Sequence, residues 1–534
     1  MTSLVEVPLV PAPPGPPPSS RFAGAPAGLA EISSLLAGTV GTSLAHRTPG
    51  PLPAGAPAEV LAAAARALGP AVIPEAGLGD LRALQKMARV MGEFGVDLAH
   101  PRAAAHLQPP PLAVAVAADV LAAAGNASLD TYDSGPSGIA VERWLIRALT
   151  SLARLGERAD GVLTPGGSLS NLMGIHLARD AAALRCGVDT RRQGVAALPG
   201  PRVLCSELAH FSVHRACAAL GMGEDAVVPV RTDRHHRMLP DDLARRLAAL
   251  GPSDTPVAVV ATAGTTDFGT VDPLPAIAEI AAEYGVWLHV DAAYGFGTLF
   301  SDRLAGLLDG IELADSITLD LHKIGWQPAA TSVLLVADPA AFTALDREVA
   351  YLNPADDADA GYDGLLGRSL QTTRRPDAVK AAATFLSHGR TGLGAMIDTC
   401  HDLARHAQAR IEAEPALDLV APAELTTVVF RYRGADPHAD DALNGELRRT
   451  LLESGTALIG RTGVRLADPA QERAAGTRQA AGTRQAPEEP GAERVCLKFT
   501  LLNPAATYDD IDALIDAVLA AGRLCDHEVR ERTA

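Results

Sequence analysis

The sequence predicts an α/β protein with a mostly parallel, helix-covered sheet, followed by a smaller α+β domain. Between about residues 140 and 340, short apolar runs alternate with helical ones: "DGVLT" then "SNLMGIHLARDAAALR", "RVLCS" then "FSVHRACAALG", "VAVVATAG" then "LPAIAEIAAEYG", then "VWLHVDAAY". That alternation is the mark of βαβ units. Past about residue 375 the order changes to helices, then "TTVVFRYRG", another helix, "RVCLKFTLL" and a last helix through "YDDIDALIDAVLAAGRL". A chain of 534 residues is long enough for two such cores.

Taken in order, residues 1–57 are rich in Pro, Ala and Gly ("VPAPPGPPPSS", "TPGPLPAGAPAE") and predict an unstructured, mobile head, because little burial is available to offset ordering. Residues 58–130 predict helices at "PAEVLAAAARALG", "LGDLRALQKMARVMGEFG" and "AVAVAADVLAAAG", with the loop "AHPRAAAHLQPPPL" between the last two. This segment cannot bury its own apolar face and must dock on something larger. Residues 131–370 form the large domain and 371–534 the small one, interrupted at about 470–492 by a disordered insertion. The duplicated "AAGTRQ" falls there, with a period too short for a solenoid.

Composition excludes several functions. A net charge of −17 with no basic block argues against a nucleic-acid partner. No stretch approaches the roughly 18 apolar residues of a membrane span, and the first residues carry no export signal, so a soluble cytoplasmic protein is expected. The six cysteines have neither C-x-x-C pairing nor ligand-like spacing with histidine, which predicts reduced, buried thiols and no metal site.

Three stretches carry chemistry. In "GVLTPGGSLSNLMGIHLAR" a strand runs through Gly166 and Gly167 into a helix whose cap region holds Ser168, Ser170 and Asn171. Free N–H groups at a helix start suit a phosphate, although most such turns are only turns. In "VWLHVDAAYGFG", period two places His289, Asp291 and Ala293 on one face. A carboxylate in so apolar a strand needs a partner, either a helix end to cap or a protonated ring nitrogen. Lys323 follows His322 between "SITLDLH" and "GWQPAATSVLLV". Such a lysine ordinarily ends a strand with its ammonium in water, but at the carboxyl end of a sheet strand it can form a Schiff base with a carbonyl cofactor.

With "HPRAAAHLQPP", "SELAHFSVHRA", "ATAGTTDFGTVDP", "YLN", "SLQTTRRPDAVK" and "LKFTLLNP" in the same order, the chain resembles the group II pyridoxal-phosphate-dependent amino-acid decarboxylases over roughly residues 75–525. The resemblance implies the aspartate-aminotransferase type of fold (fold type I), with a seven-stranded, mostly parallel sheet, and a homodimer with active sites at the interface. It implies that Lys323 holds pyridoxal 5′-phosphate, that His322 precedes it, and that Asp291 pairs with the ring nitrogen. Ala293 and His210 then flank the ring, Gly167 and Ser168 cradle the phosphate, and Thr266 lies close by. Tyr351, 28 positions after the lysine, matches the mobile-loop tyrosine that protonates the product carbon.

Within the family, "SLDTYDSGP", "HKIGWQP" and "YLNP" look most like the bacterial branch acting on 2,4-diaminobutyrate, lysine or related diamino acids. Asp133 is the candidate partner for a substrate ammonium, or else a turn former. Aromatic, acidic or aliphatic substrates, transamination and oxidative aldehyde formation are the alternatives, a tyrosine at 351 favouring simple decarboxylation. Two departures stand out: Asp320 stands where members of the aromatic branch commonly carry an asparagine near the phosphate, and Ile324-Gly325-Trp326 replaces the bulkier residues expected after the lysine in the diamine branch.

Overall fold

The computed structural model describes residues 22–347, 349, 351–352, 354–436, 439–465 and 493–533. The duplicated insertion, like the first 21 residues, lies outside them. Three helices come first: α1 (Gly28–Ala45), α2 (Pro57–Leu68) and α3 (Asp80–Phe94). The first corrects the expectation of an unstructured stretch from 1 to 57. Its sequence, "GLAEISSLLAGTVGTSLA", contains no proline, and small residues bring it close to α3. A Cβ at Gly38 would stand 2.7 Å from Leu81, and one at Gly92 3.1 Å from the Ser43 carbonyl oxygen. Neither α2 nor α3 buries a residue fully, and Leu36, Leu44, Leu61, Ile73 and Met91 stay exposed.

Two further helices, α4 (Ala113–Gly125) and α5 (Pro136–Leu152), lead into the large sheet. Its strands are β2 (Asp160–Thr164), β3 (Pro201–Ser206), β4 (Val227–Val230), β5 (Thr255–Thr262), β6 (Trp287–Asp291), β7 (Ser316–Asp320) and β8 (Ser332–Val336). They lie in the order β2-β8-β7-β6-β5-β3-β4, with β8 antiparallel to both neighbours and every other pair parallel. The expected seven-stranded, mostly parallel sheet is therefore present. Val259, Val290, Ile317, Leu319 and Leu335 have no exposure, as a sheet covered on both faces requires. Truncating any of them to alanine would cost about 2–5 kcal/mol. The strand β4, "VVPV", is not among the runs the sequence predicts, because it contains Pro229; it lies at the edge, where the missing N–H breaks no ladder.

The small sheet has the order β1-β11-β12-β10-β9, built from β1 (Ala103–Ala104), β9 (Leu417–Ala421), β10 (Thr427–Tyr432), β11 (Leu458–Arg465) and β12 (Glu493–Thr500). Here β1 pairs parallel with β11, so part of the expected loop "AHPRAAAHLQPPPL" is instead an edge strand of the second domain. The helix Ala378–Glu412 backs this sheet and bends at Gly389, whose φ of 61° breaks the two predicted helices apart.

Candidate active site

The loops at the carboxyl ends of β5, β6 and β7 meet the start of the helix α6 (Gly167–Arg185) around a cavity of ≈ 550 Å³. Gly167, Ser168, His210, Thr266, Asp291, Ala293, His322 and Lys323 all line it, so eight residues scattered over 157 positions converge. This is where an open α/β sheet places ligands.

Lys323 sits in the turn joining β7 to the antiparallel β8, which is why a lysine interrupts two apolar runs. Its Nζ lies 3.0 Å from Asp320 Oδ2, and Ser332 Oγ donates to Asp320 Oδ1 at 2.5 Å. The altered residues after the lysine pack this turn: Ile324 lies against Gly297, where a Cβ would meet it at 2.0 Å, and Trp326 Nε1 donates to the Leu502 carbonyl at 2.9 Å.

At the end of β6, Asp291 is buried and accepts from Asn171 Nδ2 at 2.7 Å and from the Ala293 N–H at 3.1 Å. It caps no neighbouring helix. Asn171 also donates to Ser212 Oγ at 2.9 Å, which lies 2.8 Å from His210 Nδ1. Burial pushes the His210 imidazole below its ordinary pKa, against the pull of Asp291.

The predicted cap residues of α6 do not cap it. The N-cap position is Gly166, with no side-chain hydrogen bond; Ser170 Oγ instead meets Thr164 Oγ1 at 2.6 Å, and Asn171 turns to β6. The first-turn N–H groups are left without side-chain partners, as an anion site requires.

Tyr351 and Asp133 are not among the residues lining the cavity. Tyr351 is 83% exposed, and Asp133, also exposed, accepts from the Thr131 hydroxyl at 2.6 Å.

The model of the pyridoxal-dependent decarboxylase conserved domain matches residues 66–433. The chain belongs to the pyridoxal-dependent decarboxylase family. It is 41% identical over 84% of its length to the L-2,4-diaminobutyrate decarboxylase of Rhizobium meliloti, covering 83% of that protein. With the enzyme of the same name from Acinetobacter baumannii it shares 37% identity, over 83% of the chain and 84% of the relative. Among solved structures, the glutamate decarboxylase domain of the diaminobutyrate-pyruvate transaminase and L-2,4-diaminobutyrate decarboxylase from Vibrio parahaemolyticus superposes with a TM-score of 0.79. That match has 28% identity and covers 95% of this chain and 99% of that one.

The residues present fit the family's cofactor, pyridoxal phosphate. The uncapped start of α6 offers N–H groups to a phosphate, and Gly167 leaves room beside it that a Cβ, 2.8 Å from Asp320 Oδ1, would take. Both Lys323, which would supply the amine, and Asp291, which would supply a carboxylate for the ring nitrogen, line the same cavity.

Sequence reasoning missed Ser212 altogether, saw Asn171 only as a cap, and saw Asp320 only as a departure. The period of α6 held the signal for Asn171: it stands three residues before Gly174, where a Cβ would strike His289 at 2.5 Å, so this helix face lies directly on β6.

Proposed function

We propose that this decarboxylase converts L-2,4-diaminobutyrate to its diamine and carbon dioxide, as a cytoplasmic homodimer. The observation that carries the substrate is the 41% identity, over most of both chains, to a protein named for that reaction. Two further features support the setting. Cys186, Cys205, Cys217, Cys400 and Cys496 form no disulfide among the described residues. Burial also pushes the Cys205, Cys217 and Cys400 thiols up to about 12, which keeps them unreactive.

Bound pyridoxal phosphate supplies an electron sink for the bond that breaks at the substrate α-carbon. The chain's residues do the rest. The start of α6 with Gly167 and Ser168 would hold the phosphate with Thr266 close by, and Asp291 would accept the ring N–H and so favour the protonated nitrogen. His210 and Ala293 would flank the ring, His322 backs the lysine turn, and Lys323 would carry the reacting amine. Tyr351 delivers a proton to the carbon that lost its carboxylate, and Asp133 receives the substrate's side-chain ammonium. Both are exposed in the single chain, which suits a site completed at a subunit interface. The exposed apolar side chains of α1 to α3 are the surface a second copy would cover.

The test is a panel of L-amino acids incubated with the enzyme and pyridoxal phosphate, with amine, carbon dioxide, aldehyde, hydrogen peroxide and keto acid quantified. Diaminobutyrate should give amine and carbon dioxide in equal amounts, faster than lysine or any aromatic amino acid. Faster turnover of another substrate, or an aldehyde or keto acid as the main product, overturns the reading. Light scattering at micromolar concentration should give twice the chain mass of 55.2 kDa.

A further inference from the structure

Behind the cavity wall, buried side chains extend the hydrogen bonds of Asn171 inward. Trp287 Nε1 donates to Ser316 Oγ at 2.8 Å, Ser316 Oγ lies 2.7 Å from His289 Nδ1, and His289 Nε2 lies 3.0 Å from Asn171 Oδ1. Asn171 then reaches Asp291 and Ser212, and Ser212 reaches His210. Ser316, His289, Asn171 and Ser212 are each at most 1% exposed, so solvent supplies no alternative partner.

Donor and acceptor capacity gives this chain one direction. An indole N–H can only donate, so Ser316 Oγ accepts from it and has its own proton to give to His289 Nδ1; the reverse order would turn Asn171 Oδ1 onto the acceptor-only Asp291 carboxylate. Burial lowers the His289 pKa to about 4, so the ring is neutral near pH 7. Its single proton is therefore on Nε2, donated to Asn171 Oδ1 and shared with Thr318 Oγ1, 3.3 Å away. That fixes the amide with its NH₂ toward Asp291 and Ser212; the flipped amide would set oxygen against carboxylate. Ser212 Oγ accepts from Asn171 and gives its proton to His210 Nδ1, which also accepts from the Ser212 N–H at 3.3 Å. The proton of His210 is left on Nε2.

We propose that Asn171 is a positioning residue whose single amide orients Asp291 for the cofactor's ring nitrogen and, through Ser212, sets the tautomer of His210. The Asp291 carboxylate selects its direction, and His289 and Ser316 accommodate it behind. The inference rests on the reading of this cavity as the pyridoxal phosphate site. The titratable groups facing Asn171 are Asp291 and His289 of β6 and, across Ser212, His210, around which Lys323, Asp320 and Arg215 are the further charges.

Asn171→Asp is the decisive variant, because it keeps the shape and exchanges only the donor for an acceptor. A carboxyl there donates only while protonated. The ratio of variant to wild-type dissociation constant for pyridoxal phosphate should exceed 10 at pH 8 and fall below 3 at pH 5.5. Ser212→Ala cuts only the His210 arm: affinity for pyridoxal phosphate and KM should stay within threefold while kcat falls at least tenfold. A ratio below 3 at both pH values, or a Ser212→Ala kcat within twofold of wild type, overturns the proposal. Borohydride reduction and peptide mapping of the wild type separate the two levels. A label away from Lys323 sinks the underlying site, whereas a label on Lys323 with a flat ratio sinks only the role of Asn171.

Discussion

Lys323 Nζ and Asp320 Oδ2 lie 3.0 Å apart in the turn after β7, so the reactive amine and a carboxylate form an ion pair inside the cavity. That same carboxylate faces Gly167 at the start of α6. On the proposed reading the pair would have to open for the amine to reach a carbonyl, and the freed carboxylate would face a phosphate held at the start of α6. At an effective dielectric of about 20, like unit charges sharing a cavity repel by up to about 4 kcal/mol at 4 Å, and by less in proportion to distance. Asp320→Asn is therefore expected to tighten pyridoxal phosphate binding by about tenfold or more, read by titrating the apoenzyme and following its visible absorption. Weaker binding would refute the repulsion argument.

Gly167 separates cofactor binding from folding. The position is the first residue of a 19-residue helix, where alanine is acceptable to the backbone, but its Cβ would stand 2.8 and 2.9 Å from the two Asp320 oxygens. Gly167→Ala is expected to lower the thermal midpoint of the apoprotein by no more than a few degrees, since moving the buried Asp320 carboxylate aside costs about 1–3 kcal/mol. Pyridoxal phosphate affinity should fall at least tenfold. Equal losses in both measurements would mean that the glycine serves the fold and not the phosphate.

Two buried groups oppose each other in acid. His289 is neutral in the fold, its pKa lowered by burial from 6.5 to about 4. The unfolded chain binds that proton first, so stability present above pH 6.5 is lost as pH falls toward 4, by roughly 2 kcal/mol at pH 5. Asp272 is the reverse case: burial outweighs its hydrogen bonds from the Met238 and Thr262 N–H groups and raises it from 3.8 to about 6. The fold binds its proton first, so stability is regained as pH falls through 6, by roughly 1 kcal/mol at pH 5. Asp272→Asn removes the compensation and should lose more stability between pH 7 and pH 5 than wild type, measured as the shift in urea midpoint. A smaller loss in the variant would contradict the assignment.

Tyr351 is 83% exposed, so its ring buries little surface that a substitution could forfeit. Tyr351→Phe should therefore leave stability within about 0.5 kcal/mol, while amine formation drops and aldehyde appears among the products. Unchanged amine output with no aldehyde would remove this residue from the proton-transfer step.

Much of this site was legible in the chain. The period of two in "VWLHVDAAYG" put His289 and Asp291 on one face, and both do meet Asn171. The runs "DGVLT", "RVLCS" and "SITLDLH" became strands because a sheet buried on both sides needs near-continuous apolar residues. The failures share a cause as well. Ser170 and Asn171 were read as caps because their residue types favour that role locally. The packing of α6 on β6, which Gly174 permits, offered Asn171 a carboxylate instead, and α1 was passed over because its proline-rich flanks masked a proline-free core.

By itself, then, the order of residues determined the elements, the family motifs and which side chains share a strand face, since these follow from backbone geometry over a few neighbours. Only tertiary packing decided that Asn171 bonds Asp291 across 120 positions, that Asp320 pairs with Lys323, and that Tyr351 and Asp133 stand outside the cavity. Those outcomes depend on which buried polar groups are brought within hydrogen-bond distance once water is gone, and no local pattern carries that information.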